Sequence, residues 1–68
     1  MEEFKLLQLG LNRNEAKVYR FLLQLGQASA GELIKKTEFH RNIVYDNLEK
    51  LIDKCLVTFI LEGGIKIF

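Results

Sequence analysis

The chain carries the same helix-start signal twice. Asn12-Arg13-Asn14-Glu15 and Ser29-Ala30-Gly31-Glu32 each place a side-chain acceptor three residues before a glutamate. That spacing is a capping box. The first side chain accepts from the amide three residues on, and the glutamate reaches back to the cap amide. Two such boxes in the first half fix two helix starts and leave little room for any architecture but short packed helices. The first helix is predicted over 12–25. Ala16, Tyr19, Leu22 and Leu23 share one face, Val18 and Leu25 widen it, and Arg13, Lys17, Arg20 and Gln24 form the polar face. Gly26 closes it, since glycine tolerates the left-handed backbone of a helix end. The second helix runs about two turns from Ser29. It turns Leu33 and Ile34 inward, holds Lys35 and Lys36 in its last turn, and breaks at Thr37-Glu38.

A third helix is predicted over 40–54. Val44, Leu48 and Leu51 recur at i, i+4 and i+7, with Ile52 beside them. Arg41, Asn42, Tyr45, Asp46, Glu49 and Lys50 lie opposite, and Ile43 is partly exposed. Upstream, Phe4, Leu7 and Leu11 give helical spacing over 2–9, stopped by Gly10. Downstream, two β-rich runs (56–61 and 65–68) flank Glu62-Gly63-Gly64, which is a hairpin signal. The order is therefore helices followed by a hairpin, an α+β fold that is mainly α. The gap from Thr37 to Phe39 has the length of a helix-turn-helix turn, and a hairpin directly after it has the place of a wing.

Composition narrows the function. Sixty-eight residues make one domain, 1–68, with little space for a walled active site. One cysteine, Cys55, and one histidine, His40, give neither an internal disulfide nor a four-ligand zinc site, so no metal or cofactor is expected. Cys55 reads as a small apolar filler at a helix end, and His40 as a helix-start residue. No base stands ready to activate a nucleophile, so no catalytic residue and no enzyme are expected. No apolar run approaches the ~18 residues of a membrane span. Met1-Glu2-Glu3 is acidic where a signal peptide is basic, so a cytoplasmic, reducing setting is expected.

The residues resemble a known family. Leu9-Gly10-Leu11, Asn14-Glu15-Ala16-Lys17-Val18-Tyr19, Leu22-Leu23-Gln24-Leu25-Gly26 and Ala28-Ser29-Ala30-Gly31-Glu32-Leu33 look like the opening of the TrmB-like winged-helix transcription regulators, mainly archaeal. Arg41-Asn42-Ile43-Val44-Tyr45, Leu48, Leu51 and Leu56-Val57 continue the likeness, which covers roughly residues 5 to 60. It implies a winged helix-turn-helix that binds double-stranded DNA as a homodimer. Many members add a C-terminal sugar-sensing domain. This chain stops at the wing, so no small-molecule effector is expected in it. Three positions depart from the family pattern. Glu38 stands where the turn often has glycine, His40 where proline is common, and Cys55 where glycine usually ends the helix.

On this reading the third helix is the recognition helix. Arg41, Asn42 and Tyr45 are the base-contacting candidates, because arginine forks onto guanine and asparagine onto adenine in the major groove. Asp46 would accept from cytosine, orient Arg41, or stay solvated. Ser29, Lys35, Lys36, Lys50 and Lys66 are the phosphate-contacting candidates, Ser29 at an amide-bearing helix start and Lys66 on the wing. The net charge is only +1, and five cations face four anions over 35–54, so modest affinity per monomer is expected. The alternative is a winged helix that docks a protein without reading DNA. Its near-neutral charge and the apolar Ile43, Ile60, Ile67 and Phe68 would favour that role.

Overall fold

Both capping boxes form in the computed structural model, which describes residues 10–68. The helix expected over 2–9 lies outside the described residues. Helix α1 spans Arg13–Leu25, with the Asn12 side chain accepting from the Glu15 amide at 2.7 Å and Glu15 accepting from the Asn12 amide at 2.9 Å. Helix α2 spans Ala30–Thr37, and Ser29 and Glu32 close the second box. Helix α3 spans Arg41–Asp53, with His40 as its cap. Strands β1 (Ile60–Glu62) and β2 (Ile65–Ile67) pair antiparallel, with Ile60 opposite Ile67 and Glu62 opposite Ile65.

The three helices enclose one core. Val18 and Leu22 from α1, Leu33 from α2, and Val44, Leu48 and Leu51 from α3 are buried together with Leu11, Ala16, Ala28 and Ala30. Each large side chain contributes ~1.5–3 kcal/mol by leaving water. Leu23 and Leu25 do not join them. They flank the buried stripe of α1 and stay exposed, Leu23 by 49%. Leu23 instead lines an open apolar groove with Tyr19, Leu56 and Val57. Thr37 is not merely a break. It ends α2 buried, its hydroxyl donating to the Leu33 carbonyl at 2.7 Å and accepting from the Phe39 amide at 3.2 Å.

Two of the family departures carry strain. Glu38 sits at φ 61°, and its amide donates to the Ile34 carbonyl, so the left-handed turn is kept without glycine. Cys55 also sits at φ 61° and is exposed, so it is a strained helix end and not a buried filler. Each costs roughly 1–2 kcal/mol relative to a right-handed residue.

The hairpin is shorter than the sequence suggests. Leu56 and Val57 pack half-buried against the core without pairing, and only two residues of the first run and three of the second form strand. Glu62 belongs to β1, and Gly63 and Gly64, at φ 59° and 80°, make the two-residue turn that favours glycine at both positions. The end of β2 is laced to the chain before α2. Ala28 and Phe68 exchange two backbone hydrogen bonds of 3.0 and 2.8 Å, and Ser29 bridges Ile67. The hairpin is thereby fixed beside the start of α2.

Candidate nucleic-acid interface

That lacing creates a groove between three elements. Ser29, Ala30 and Gly31 at the start of α2, Tyr45 of α3, and Gly64, Ile65, Lys66 and Phe68 of the hairpin line an open cleft of about 540 Å³. The first amides of a helix have no intrahelical partner, so Ala30 and Gly31 bring donors to this cleft. Ser29 also holds the Glu32 carboxylate, which accepts from the Ser29 amide at 3.1 Å. An anion approaching the start of α2 therefore meets a carboxylate as well as amides.

The first turn of α3 is exposed. The His40 imidazole accepts from the Asn42 amide through Nδ1 at 3.5 Å, a long cap bond. The Arg41 guanidinium lies 5.4 Å from the Tyr45 ring centroid, so the two side chains form one stacked unit at the cleft edge. Asp46 does not orient Arg41. It pairs with Lys50 at 3.3 Å, one turn along the helix, with both side chains solvent-exposed. Such a pair contributes at most ~1 kcal/mol, but it offsets the Lys50 charge locally. Asn42 shares its face with Asp46, Glu49 and Asp53, so beyond the first turn the outer face of α3 is acidic.

Lys66 sits between two clefts. Its ammonium lies 4.7 Å above the Phe59 ring, and it lines a second groove of about 370 Å³ with Glu49, Ile52, Asp53 and Phe59. Lys35 and Lys36 are exposed in the last turn of α2, at the end away from Ser29. The structure thus brings together Ser29, Tyr45 and Lys66, with Arg41 joined through Tyr45. It does not bring Lys35, Lys36 or Lys50 to that cleft.

One cation counted over 35–54 is committed elsewhere. Lys54 donates to both oxygens of Glu15, at 3.1 and 3.0 Å, and to the Gly10 carbonyl at 3.0 Å. Glu15 is buried, and burial alone would raise its pKa. The Asn12 amide and the Lys54 ammonium outweigh burial and hold the carboxyl below its usual value. This pair ties the start of α1 to the end of α3. The burial of Glu15 was legible in the spacing, because it precedes Val18 by three and Leu22 by seven and so faces the core. Asn47, also buried, was likewise unanticipated; its side chain donates to the Ile43 carbonyl at 2.7 Å.

Among the described residues no group of three or more His, Cys, Asp or Glu side chains could hold a metal ion. No described helix is long and apolar enough to cross a membrane. Three helices followed by an antiparallel hairpin, with α2 and α3 joined by a tight turn, define the winged helix-turn-helix class. Within that class, the family model for the sugar-specific transcriptional regulator TrmB matches residues 6–67. The chain belongs to the TrmB family of transcriptional regulators. No curated protein and no solved structure matches it.

Proposed function

We propose that this domain reads duplex DNA by inserting the first turn of α3 into the major groove, as one half of a homodimer. The observation that carries this reading is the cleft in which the α2 start, the Arg41–Tyr45 stack and Lys66 meet. Arg41 and Asn42 contact base edges, and Tyr45 extends that contact while bracing Arg41. Ser29 and Lys66 hold phosphates on either side of the groove. Lys35 and Lys36 give further phosphate contacts from outside the cleft, whereas Lys50 stays paired with Asp46. The acids farther along α3 keep the helix tilted, so that its start approaches DNA and its end does not. Two half-sites compensate for the small charge of one copy.

The test is a mobility-shift selection from random duplex at low salt, with wild type and Arg41→Ala. The wild type enriches a motif, and Arg41→Ala weakens binding to that motif by ~1–3 kcal/mol and relaxes one base position. An unchanged motif and affinity would refute the role of Arg41.

A second reading has its own support. Asp46, Glu49 and Asp53 on α3, with Ile60, Leu61 and Ile65 exposed on the hairpin, would suit a protein partner with basic and apolar groups. Failure of the wild type to shift any duplex at low salt would favour it.

A further inference from the structure

The cations of this chain are unevenly placed. Between Ser29 and Lys66, with Lys54 committed to Glu15, six carboxylates stand against five cations. The helix-turn-helix and hairpin together are therefore slightly acidic. Helix α1 is the opposite. Arg13, Lys17 and Arg20 lie at i, i+4 and i+7, within a sector of about 60° and over about 10 Å of helix. The single acid of α1, Glu15, is turned inward and neutralised by Lys54. The outer face of α1 thus carries three cations and no carboxylate.

Lys17, the middle of the stripe, is anchored beside the reading head. The Lys17 ammonium lies 4.8 Å from the centroid of Phe39, which is in the turn two residues before Arg41. Arg20 lies along the Phe21 ring, 5.8 Å from its centroid. Lys17 and Arg20 are half-buried, each with its cationic end set over one of these rings. Both side chains are thereby partly ordered before any ligand arrives, which lowers the entropy lost on binding.

We infer that the Arg13–Lys17–Arg20 stripe of α1 is a second phosphate-gripping surface, seated on the DNA backbone beside the groove that α3 enters. The inference rests on the DNA-reading proposal above. Its three cations can each meet a phosphate of the backbone. Charge complementarity favours this occupant over the acidic face of α3 on a second copy. There, Asp46 is already paired with Lys50, so fewer carboxylates are left to answer three cations.

The test is fluorescence anisotropy on the selected motif and on random duplex across a salt series. It compares wild type, R13Q/K17Q/R20Q, R13K/R20K and Arg41→Ala. Neutralising three phosphate contacts lowers the log–log salt slope by about 2.7, so the affinity gap to wild type widens about 40-fold between roughly 200 and 50 mM salt. The loss is equal on motif and random DNA, and R13K/R20K keeps the wild-type slope. A triple variant with the wild-type slope overturns this inference alone, provided Arg41→Ala still relaxes the motif. An R13K/R20K variant that loses as much slope as the triple shows a packing role and also overturns it. So does a triple variant that alters only the sedimentation of the free protein, which would assign the stripe to contact between copies. A wild type that binds no duplex overturns both proposals together.

Discussion

Replacing Lys54 with methionine probes the ion pair that ties α1 to α3. Lys54 contacts both oxygens of Glu15 and the Gly10 carbonyl, and methionine keeps most of its stem while removing the charge. Breaking a fully buried pair costs ~3–5 kcal/mol. Here the Glu15 side chain is 3% exposed but the Lys54 side chain is 38% exposed. Water at the lysine end, and the Asn12 amide that stays on Glu15, bring the expected loss to about 2 kcal/mol. For a chain of this length, with total stability of ~3–10 kcal/mol, that is a large fraction. The pH dependence gives a sharper signature. In the wild type the folded carboxyl titrates below its ordinary value of 4.5, so its stabilisation is present above that value and fades as pH falls below it. Burial already opposes ionisation most strongly, and without the ammonium less is left to offset it, so the folded carboxyl rises from its wild-type position. Its contribution to stability is then smaller, and the deficit of the variant shrinks as pH falls. Urea unfolding followed by circular dichroism, at about pH 7 and about pH 4, measures both effects. The double variant Glu15→Gln/Lys54→Met should recover most of the loss. A deficit below about 0.5 kcal/mol, or one equal at both pH values, would refute the account of the pair.

The two strained turns and the start of α2 give further tests. Cys55→Gly should raise stability by about 1 kcal/mol, because glycine holds φ 61° without strain; thermal unfolding reads the gain, and a loss would mean that the thiol makes a contact worth more than the strain. At Gly31 an added Cβ meets only the Ser29 hydroxyl at 3.8 Å, so Gly31→Ala should stabilise the domain by up to ~1 kcal/mol. The same methyl would stand between the α2 amides and a phosphate, so duplex affinity should fall while the melting temperature rises.

The helices were legible because their signals are local. Asn12 with Glu15, and Ser29 with Glu32, fix two starts within four residues each, and the Val44–Leu48–Leu51 spacing names the buried face of α3. The hairpin turn was equally local at Gly63-Gly64. What sequence spacing did not reveal depends on distant partners. Nothing near Phe68 announces that it exchanges hydrogen bonds with Ala28, yet that lacing brings Lys66 and Ser29 to one cleft. Lys54 entered the charge balance of 35–54 as a free cation, since its partner Glu15 lies 39 positions away. Leu23 and Leu25 looked like core because an apolar side chain satisfies the helical pattern on either flank of the stripe, and only packing decides which flank is covered. Caps, periodicity and turn signals already set the overall order and the family likeness agreed with it, while Glu38 and Cys55 show left-handed turns kept at the cost of strained non-glycine residues.

Backbone chemical-shift mapping by NMR tests the central claim most directly. Isotope-labelled protein is titrated with its selected duplex, and the amide shifts are placed on the fold. DNA reading by the first turn of α3 predicts the largest changes at Ala30 and Gly31, at Arg41 to Tyr45, and at Gly64 to Lys66, with Glu49 to Asp53 little affected. Changes confined to Ile60–Glu62 and the acidic end of α3, or none at saturating duplex, would contradict it.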